Sequence, residues 1–240
     1  MRKYPRIPIV MITGVGTIET AVKATQLGAV NFIPKSSISE EKLKEVLYTA
    51  MERVNARSVS DEIDGVMREN GIIGTSKAMR TVADNIYRYG RTELSVLITG
   101  ETGTGKKLVA QALHSVSRRM GNRFVTVDIP NIPASLFQSE LFGHVKGAFS
   151  DAREDKSGMF QQANKGTLFL DEIGDLPPEL QPNLLLPIEE KTVRRLGSVQ
   201  PERVDVRVIS ATDKNLLEAI REGRFREQLY HRLRECEIHL

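Results

Sequence analysis

Two short stretches carry residue types whose spacing suits the transfer of a phosphoryl group. Residues 100–107 read GETGTGKK and follow the apolar run Val96, Leu97, Ile98. Glycines at 100, 103 and 105 let the backbone turn sharply and aim its N–H groups at phosphate oxygens. Lys106 adds a point charge, and the start of a following helix adds its own partial positive charge. Residues 167–172 read TLFLDE, an apolar strand pattern ending in Asp171 and Glu172. The first carboxylate can hold a divalent cation and the second can position an attacking water. Each stretch alone also fits something plainer, a glycine-rich turn or a buried strand ending in solvated acids. Together, in this order, they predict a chain that binds and hydrolyses ATP or GTP.

Those side chains need a frame, and from residue 72 onward the apolar spacing alternates between helix and strand periods. Ser76 can cap a helix whose inner face is Met79, Val82, Ala83 and Ile86. The phosphate-loop strand and its helix follow, with Leu108, Val109, Ala112, Leu113 and Val116 on the apolar side. Next come a strand over 124–127, a helix near 136–142, the acidic strand 167–171 and a helix over roughly 178–190. A strand over 204–210, a helix over 214–222 and a basic turn and helix over 223–233 complete the series, the last opening with Arg224, Phe225 and Arg226. Strands alternating with helices imply an α/β fold, a parallel sheet covered on both faces. Pro177 and Pro178 suit a helix start. Pro182 and Pro187 predict a break or kink, because an interior proline costs roughly 3 kcal/mol.

The first 55 residues make a separate block. Residues 7–12 have a buried-strand pattern, and 18–27 have helical spacing through Ile18, Ala21, Val22 and Leu27. A second strand is expected over 29–33, then a helix with Leu43, Val46, Leu47, Ala50, Met51 and Val54 on one face. This β–α–β–α run is half of a doubly wound domain entered in mid-sheet, and such a block alone should be poorly stable. Residues 56–71 are polar, carry Gly65 and Gly71, and read as a linker, although Ile63, Val66 and Met67 leave room for a helix.

Composition narrows the setting. A net charge of +3, from 34 basic and 31 acidic residues, does not by itself argue for nucleic acid. The one cysteine, Cys236, excludes an internal disulfide and reads as a small buried hydrophobe near a strand. Residues 1–3 imitate the basic start of a signal peptide, but the apolar stretch at 7–12 is too short and Gly14 interrupts it. No run approaches the roughly 20 apolar residues of a membrane span. His114, His144, His231 and His239 show no metal-ligand spacing. A soluble, cytoplasmic protein is expected.

The motifs are specific enough to suggest a family. Residues 72–240 resemble the AAA+ ATPase domain of bacterial enhancer-binding proteins, the activators of sigma-54 RNA polymerase. The strings that carry this are GETGTGKK, SELFGHVKGAFSDA (139–152), GTLFLDEIGDLP (166–177) and GRFREQLYHRL (223–233). The second is the most diagnostic, since generic P-loop ATPases lack it. Residues 1–55 resemble the C-terminal part of a response-regulator receiver domain, through MITG with Thr13 and GAVNFIPKS with Phe32 and Lys35. The whole is similar to an NtrC-type regulator of a two-component system, seen without the receiver's acidic pair and phospho-accepting aspartate, the helical lid or a DNA reader.

The resemblance implies a P-loop AAA+ core preceded by part of a doubly wound receiver domain, with ATP and Mg²⁺ as cofactors. Gly100, Glu101, Thr102, Gly103, Thr104, Gly105, Lys106 and Lys107 would form the phosphate loop, with Lys106 on the β- and γ-phosphates. Asp171 would hold Mg²⁺, Glu172 would position water and Asp213 would stand at the γ-phosphate. Ile73 and Gly74 resemble an adenine-contacting segment. Arg226 and Arg232 resemble arginine fingers that reach a neighbour's nucleotide, which demands a homo-oligomeric ring, expected to be a hexamer. Gly147, Ala148, Phe149, Ser150, Asp151 and Ala152 match the GAFTGA loop that carries movement to the sigma factor. Thr13, Phe32 and Lys35 match the receiver switch. A cognate histidine kinase and enhancer DNA would be engaged only through regions outside these residues.

Five positions depart from the family pattern. Lys107 stands for a glutamate, offering metal no ligand; Asp128 and Asp213 stand for asparagines; Ser150 and Asp151 stand for threonine and glycine. Three functions therefore compete. The leading one is an ATP-driven activator of sigma-54 transcription. The second is a nucleotide-binding regulatory or scaffold protein with impaired hydrolysis or sigma-54 contact. The third is a remodeller with another client, which the string 139–152 argues against.

Overall fold

The structure, a computed structural model, describes residues 7–14 and 17–240, apart from the side chains of residues 18 and 53–59. The basic residues 1–3 and the side chains of Ile18 and Val54 lie outside that description. The chain forms two units, Met1–Gly65 and Val66–Leu240.

In the first unit β1 (Val10–Thr13) pairs in parallel with β2 (Asn31–Pro34), Val10 opposite Asn31 and Thr13 opposite Pro34. Between them runs α1 (Ile18–Gln26), opened by a reciprocal cap. The Thr17 side chain accepts from the Thr20 amide while the Thr20 hydroxyl oxygen accepts from the Thr17 amide. Ala24, Ile33, Val46 and Ala50 form this unit's buried interior. The expected buried strand is not buried. Met11 and Ile12 of β1 and Ile7 and Ile9 ahead of it are exposed, and among the described residues β1 has a single strand partner.

A long helix, α2 (Glu40–Glu69), includes residues 56–69 of the segment expected to be a linker. Ile63 and Met67 are buried in that stretch. Of the predicted face, Val46 and Ala50 are inside while Leu47 and Met51 are exposed.

The second unit opens with α3 (Lys77–Gly90), where Ser76 accepts from the Met79 amide as expected and Val82, Ala83 and Ile86 face inward. Then follow β3 (Val96–Thr99), α4 (Lys106–Ser115), β4 (Phe124–Asp128), α5 (Phe137–Phe142), the single turn α6 (Met159–Gln162) and β5 (Thr167–Asp171). After these come α7 (Pro182–Glu189), the antiparallel hairpin β6 (Thr192–Arg194) and β7 (Pro201–Arg203), β8 (Arg207–Thr212), α8 (Leu216–Arg221), α9 (Glu227–Leu233) and β9 (Cys236–His239). Five strands make one parallel sheet in the order β4-β5-β8-β3-β9. The central strands are buried runs rather than alternating ones, the mark of a sheet covered on both faces.

From β3 the chain steps away to β4 on one side, and from β8 it crosses β3 to β9 on the other. β3 is thus the switch point, and ligands of open parallel sheets bind beyond strand ends at such a point. The residues that follow β3, β5 and β8 emerge together on that edge. A core of Leu97, Val127, Phe137, Leu141, Phe160, Leu168, Leu170, Leu184, Leu229 and Leu233 fixes the strands beneath it. Arg207 is also inside, its guanidinium donating to the carbonyls of Tyr89 and Gly90 at the end of α3 and of Leu94 in the loop that follows.

Several boundaries differ from expectation. β8 begins at Arg207 and not at 204, and α7 begins at Pro182 and not at 178. Pro182 occupies the first helical position, where a missing N–H costs nothing. Pro187 does lie inside the helix, leaving the Asn183 carbonyl without its usual donor. Cys236 is half-buried in β9, where burial pushes its thiol pKa up and disfavours the thiolate.

Candidate functional site

The loop after β3 is shaped by its glycines. Gly103 and Gly105 adopt left-handed φ values of 84° and 93°, and Gly105 is the residue from which α4 starts. Any other residue there would be strained. The amides of Gly103 and Gly105 have no partner among the described residues and are available to phosphate oxygens. Thr104 closes the loop from within, its hydroxyl donating 2.7 Å to the Glu101 carbonyl. Lys106 is buried, and its ammonium donates to the carbonyls of Gly100 at 3.0 Å and Glu101 at 3.3 Å. It also pairs with Glu172 Oε1 at 3.1 Å.

Glu172 follows β5 in a left-handed conformation, φ 52°, uncommon for a residue with a side chain and a mark of local strain. Its second oxygen, Oε2, accepts from the Asp213 amide at 3.1 Å, just beyond β8. Asp213 in turn accepts from the Thr102 hydroxyl at 2.7 Å. Lys106, Glu172, Asp213 and Thr102 are therefore one connected chain joining the ends of three neighbouring strands. The Thr102 hydroxyl, ahead of weaker contributions from Lys106 and Lys214, holds the Asp213 carboxyl below the usual range.

Asp171 lies across from Asp128 at the ends of β5 and β4. Burial, then the charges of Glu172 and Asp128, push the Asp171 carboxyl up. Asp128 accepts from the Asn131 side chain at 2.7 Å. No group of three or more His, Cys, Asp or Glu among the described residues could hold a metal ion by itself. Crowded carboxylates at Asp171 nevertheless suit a divalent cation whose remaining ligands are phosphate and water oxygens. Lys107, exposed in the first turn of α4, contributes no ligand.

With this geometry in place, known proteins can be set beside it. Residues 72–239 match the sigma-54 interaction domain model. The response regulator PilR of Pseudomonas aeruginosa is 41% identical over 237 residues, covering 99% of this chain and 52% of PilR. The transcriptional regulator NtrC of Escherichia coli K12 is 41% identical over 242 residues, covering 100% of this chain and 51% of NtrC. The chain belongs to the sigma-54 interaction family, of the NtrC type. A solved structure of NtrX from Brucella abortus in complex with ATP matches with a TM-score of 0.65 at 37% identity, covering 98% of this chain and 50% of that one. The chain thus spans about half the length of the curated relatives it matches.

In this family member the 147–152 loop is closed by Gly147 N–H donating to the Ala152 carbonyl and Ala152 N–H donating to the Phe149 carbonyl, at 2.8 and 3.0 Å. Ala152 is buried, whereas Ser150 and Asp151 are exposed. Phe149 is 38% exposed and stands edge-on to the His144 ring, centroids 4.9 Å apart. His144 is buried, with Nδ1 2.8 Å from the Ser139 hydroxyl. Its backbone bridges Lys156 and Leu196, which fixes the root of the loop.

Arg226 precedes α9 and is not inside it, so the two arginines do not share a helical surface. Its guanidinium is exposed with no ion pair among the described residues, while Arg232 pairs with Glu189 at 2.6 Å. The Arg226 amide donates 2.7 Å to Gln181 Oε1, and Gln181 Nε2 donates to the carbonyls of Leu176 and Arg224, both at 2.9 Å. Gln181 is fully buried.

The sequence-derived residues fall into separate groups. Thr102, Lys106, Glu172 and Asp213 are brought together. Among the described residues, Ile73, Gly74, Arg226, Arg232 and the 147–152 loop make no hydrogen bond or ion pair with them. Ile73 is almost wholly exposed, and Gly74 lies against Met79. Thr13 and Lys35 end and follow the paired strands of the first unit, with Phe32 opposite Met11. Gln181 and His144 escaped the sequence reading. A lone glutamine beside a proline carries no signal, and His144 was visible only as one letter of a longer string.

Proposed function

We propose that this chain is the ATP-hydrolysing, sigma-contacting part of an NtrC-type activator of sigma-54 RNA polymerase, working in the cytoplasm as a homo-oligomeric ring, expected to be a hexamer. Residues 72–240 make the ATPase domain and 1–55 the receiver part, with Thr13, Phe32 and Lys35 in its switch. The observation that carries this reading is the Lys106–Glu172–Asp213–Thr102 chain at the switch-point edge, in a unit that also presents Phe149 on an exposed loop. The family match and the ATP complex of the NtrX relative support it.

Bound Mg²⁺-ATP would supply the scissile phosphoanhydride and neutralise charge developing on the transferred group. The free amides of Gly103 and Gly105 would cradle phosphate oxygens, and Lys106 would release the Gly100 and Glu101 carbonyls to meet them. Release of Lys106 also frees Glu172 to orient water. Asp171 would complete a cation's shell with phosphate oxygens. Ile73 offers an apolar surface to the base, and Arg226, without an ion pair among the described residues, offers its guanidinium to a neighbouring subunit, with Arg232 as a second candidate finger. Phe149 would grip the sigma factor.

The deciding experiment is Mg²⁺-ATP hydrolysis as a function of protein concentration. A specific rate that climbs with concentration is expected, because the active site is completed by a neighbour. A rate of zero at every concentration, with ATP bound, would remove hydrolysis from the reading.

A further inference from the structure

Asp213 is the residue at which this site's chemistry departs furthest from what a phosphate loop needs. Its carboxylate is tied to Thr102, inside the phosphate loop, and lies within the field of the Lys106 ammonium. A P-loop lysine reaches the β- and γ-phosphates. Asp213, just beyond β8 and bonded to Thr102 on the far side of the loop from its Gly105 end in sequence, would then face the terminal phosphate of a bound triphosphate. An ionised carboxylate can only accept hydrogen bonds, and so can a phosphate oxygen. The two cannot bond each other, and both compete for the same donors, the Thr102 hydroxyl and Lys106.

We infer that Asp213 sets the nucleotide preference of this site, favouring a nucleoside diphosphate over the triphosphate. The inference rests on the reading of this edge as a nucleotide site. A diphosphate fills the Gly103–Gly105 end and leaves the Thr102–Asp213 tie intact. A third phosphate must break that tie and then lie against a like charge. An exposed aspartate carboxyl is anionic at neutral pH, and the Thr102 bond lowers its pKa further, so the penalty operates under ordinary conditions. Asp213 is exposed, and its substitution by asparagine keeps the shape while exchanging an acceptor for a donor.

The test is calorimetric titration of the full chain with ADP and with ATP, at one Mg²⁺ concentration, for the unchanged protein, Asp213→Asn and Thr102→Val. The unchanged protein should bind ADP more tightly than ATP. Asp213→Asn should lower the ATP-to-ADP ratio of dissociation constants on the order of tenfold, nearly all through ATP, as removal of one nearby charge predicts. Thr102→Val removes the tie but keeps the charge, and should keep most of the discrimination. Raising the salt concentration should shrink the ratio in the unchanged protein and leave Asp213→Asn nearly flat. If both nucleotides bind and the ratio is the same in Asp213→Asn, the inference is wrong while the nucleotide site stands. If Thr102→Val lowers the ratio as far as Asp213→Asn does, the tie and not the charge discriminates, which also overturns it. If neither nucleotide binds any of the three proteins, the site reading falls and the inference with it.

Discussion

Lys106 and Glu172 neutralise each other across 3.1 Å, although each belongs to a different strand-end loop. Lys106 is only 6% exposed, and Glu172 is about one-quarter exposed. A buried ammonium that loses its partner is costly, so each side chain holds the other until phosphate replaces the carboxylate. Glu172→Gln should therefore keep ATP binding and lose turnover on the order of 10² or more. Titration with ATP beside phosphate-release kinetics checks both halves. Turnover that survives the change would remove Glu172 from water positioning.

Arg226 and Arg232 differ in freedom, and this predicts different effects. Arg226 has no ion-pair partner among the described residues, whereas Arg232 is held by Glu189. Arg226→Ala should cost on the order of 10³ or more in turnover, the scale of an arginine supplied from a neighbour. Arg232→Ala should cost less and should lower stability slightly. Mixing Arg226→Ala with Glu172→Gln subunits should restore part of the activity, since an intact site then meets an intact arginine. No recovery on mixing would place Arg226 outside the neighbour's site.

Gln181 holds the backbone of that arginine turn while also holding Leu176, five residues beyond Asp171. Its replacement by leucine strands one amide and two carbonyls in a buried place, at about 1–3 kcal/mol each before any relaxation. Gln181→Leu should lower the urea midpoint and should reduce turnover in the manner of Arg226→Ala. A stability loss with turnover intact would make Gln181 a purely structural residue.

The parts of this site that were legible in the sequence are those where local backbone chemistry admits few alternatives. Glycines at 103 and 105 announce left-handed turns, Ser76 announces a helix start, and an apolar run ending in Asp171 announces a strand end. The unread parts depend on partners distant in the chain. β8 starts at Arg207 because strand pairing to β5 starts there, and the guanidinium is satisfied by carbonyls more than a hundred residues away. Hydrophobic spacing instead favours Val204 and Val206. β9 was missed because a four-residue strand containing Glu237 and His239 looks polar until Ile238 is placed against the sheet. The exposed Met11 and Ile12 of β1 show the converse, since an apolar strand predicts burial only where strands on both edges and elements on both faces enclose it.

Arg119 ties the ends of several elements together and makes an acid-sensitive joint. It is 10% exposed in its side chain, pairs with Asp205 at 2.6 Å and Glu93 at 2.8 Å, and also donates to the Asp205 carbonyl. The Arg119 hydrogen bond holds the Asp205 carboxyl below its ordinary 3.8. A carboxyl depressed by folding contributes stability in full above 3.8 and loses it as pH falls through the folded value. Asp205→Asn should be less stable than the unchanged protein at neutral pH, and the gap should narrow as pH falls below 3.8. Urea midpoints across that range test it. Because Asp205 is half-exposed, the effect should be modest and should shrink with salt.

Phe149 and His144 form the remaining pair on which the proposed function depends. The ring of Phe149 is exposed but has a firm seat, because His144 is buried, bonded to Ser139 and fixed on both sides by backbone bridges. A tilted ring pair of this kind is worth about 0.5–1.5 kcal/mol beyond its buried area. Phe149→Ala should abolish capture of sigma-54 by the chain while ATP turnover persists, since among the described residues the loop makes no hydrogen bond or ion pair with Lys106 or Glu172. His144→Ala should weaken capture less, because the aromatic survives and only its seat is lost. Combining the two should add nothing to Phe149→Ala alone, as expected when one residue acts through the other. Binding measured with purified sigma-54 in the presence of a transition-state analogue of ATP separates the cases. Capture that persists in Phe149→Ala would transfer the gripping role to other residues of the 147–152 loop.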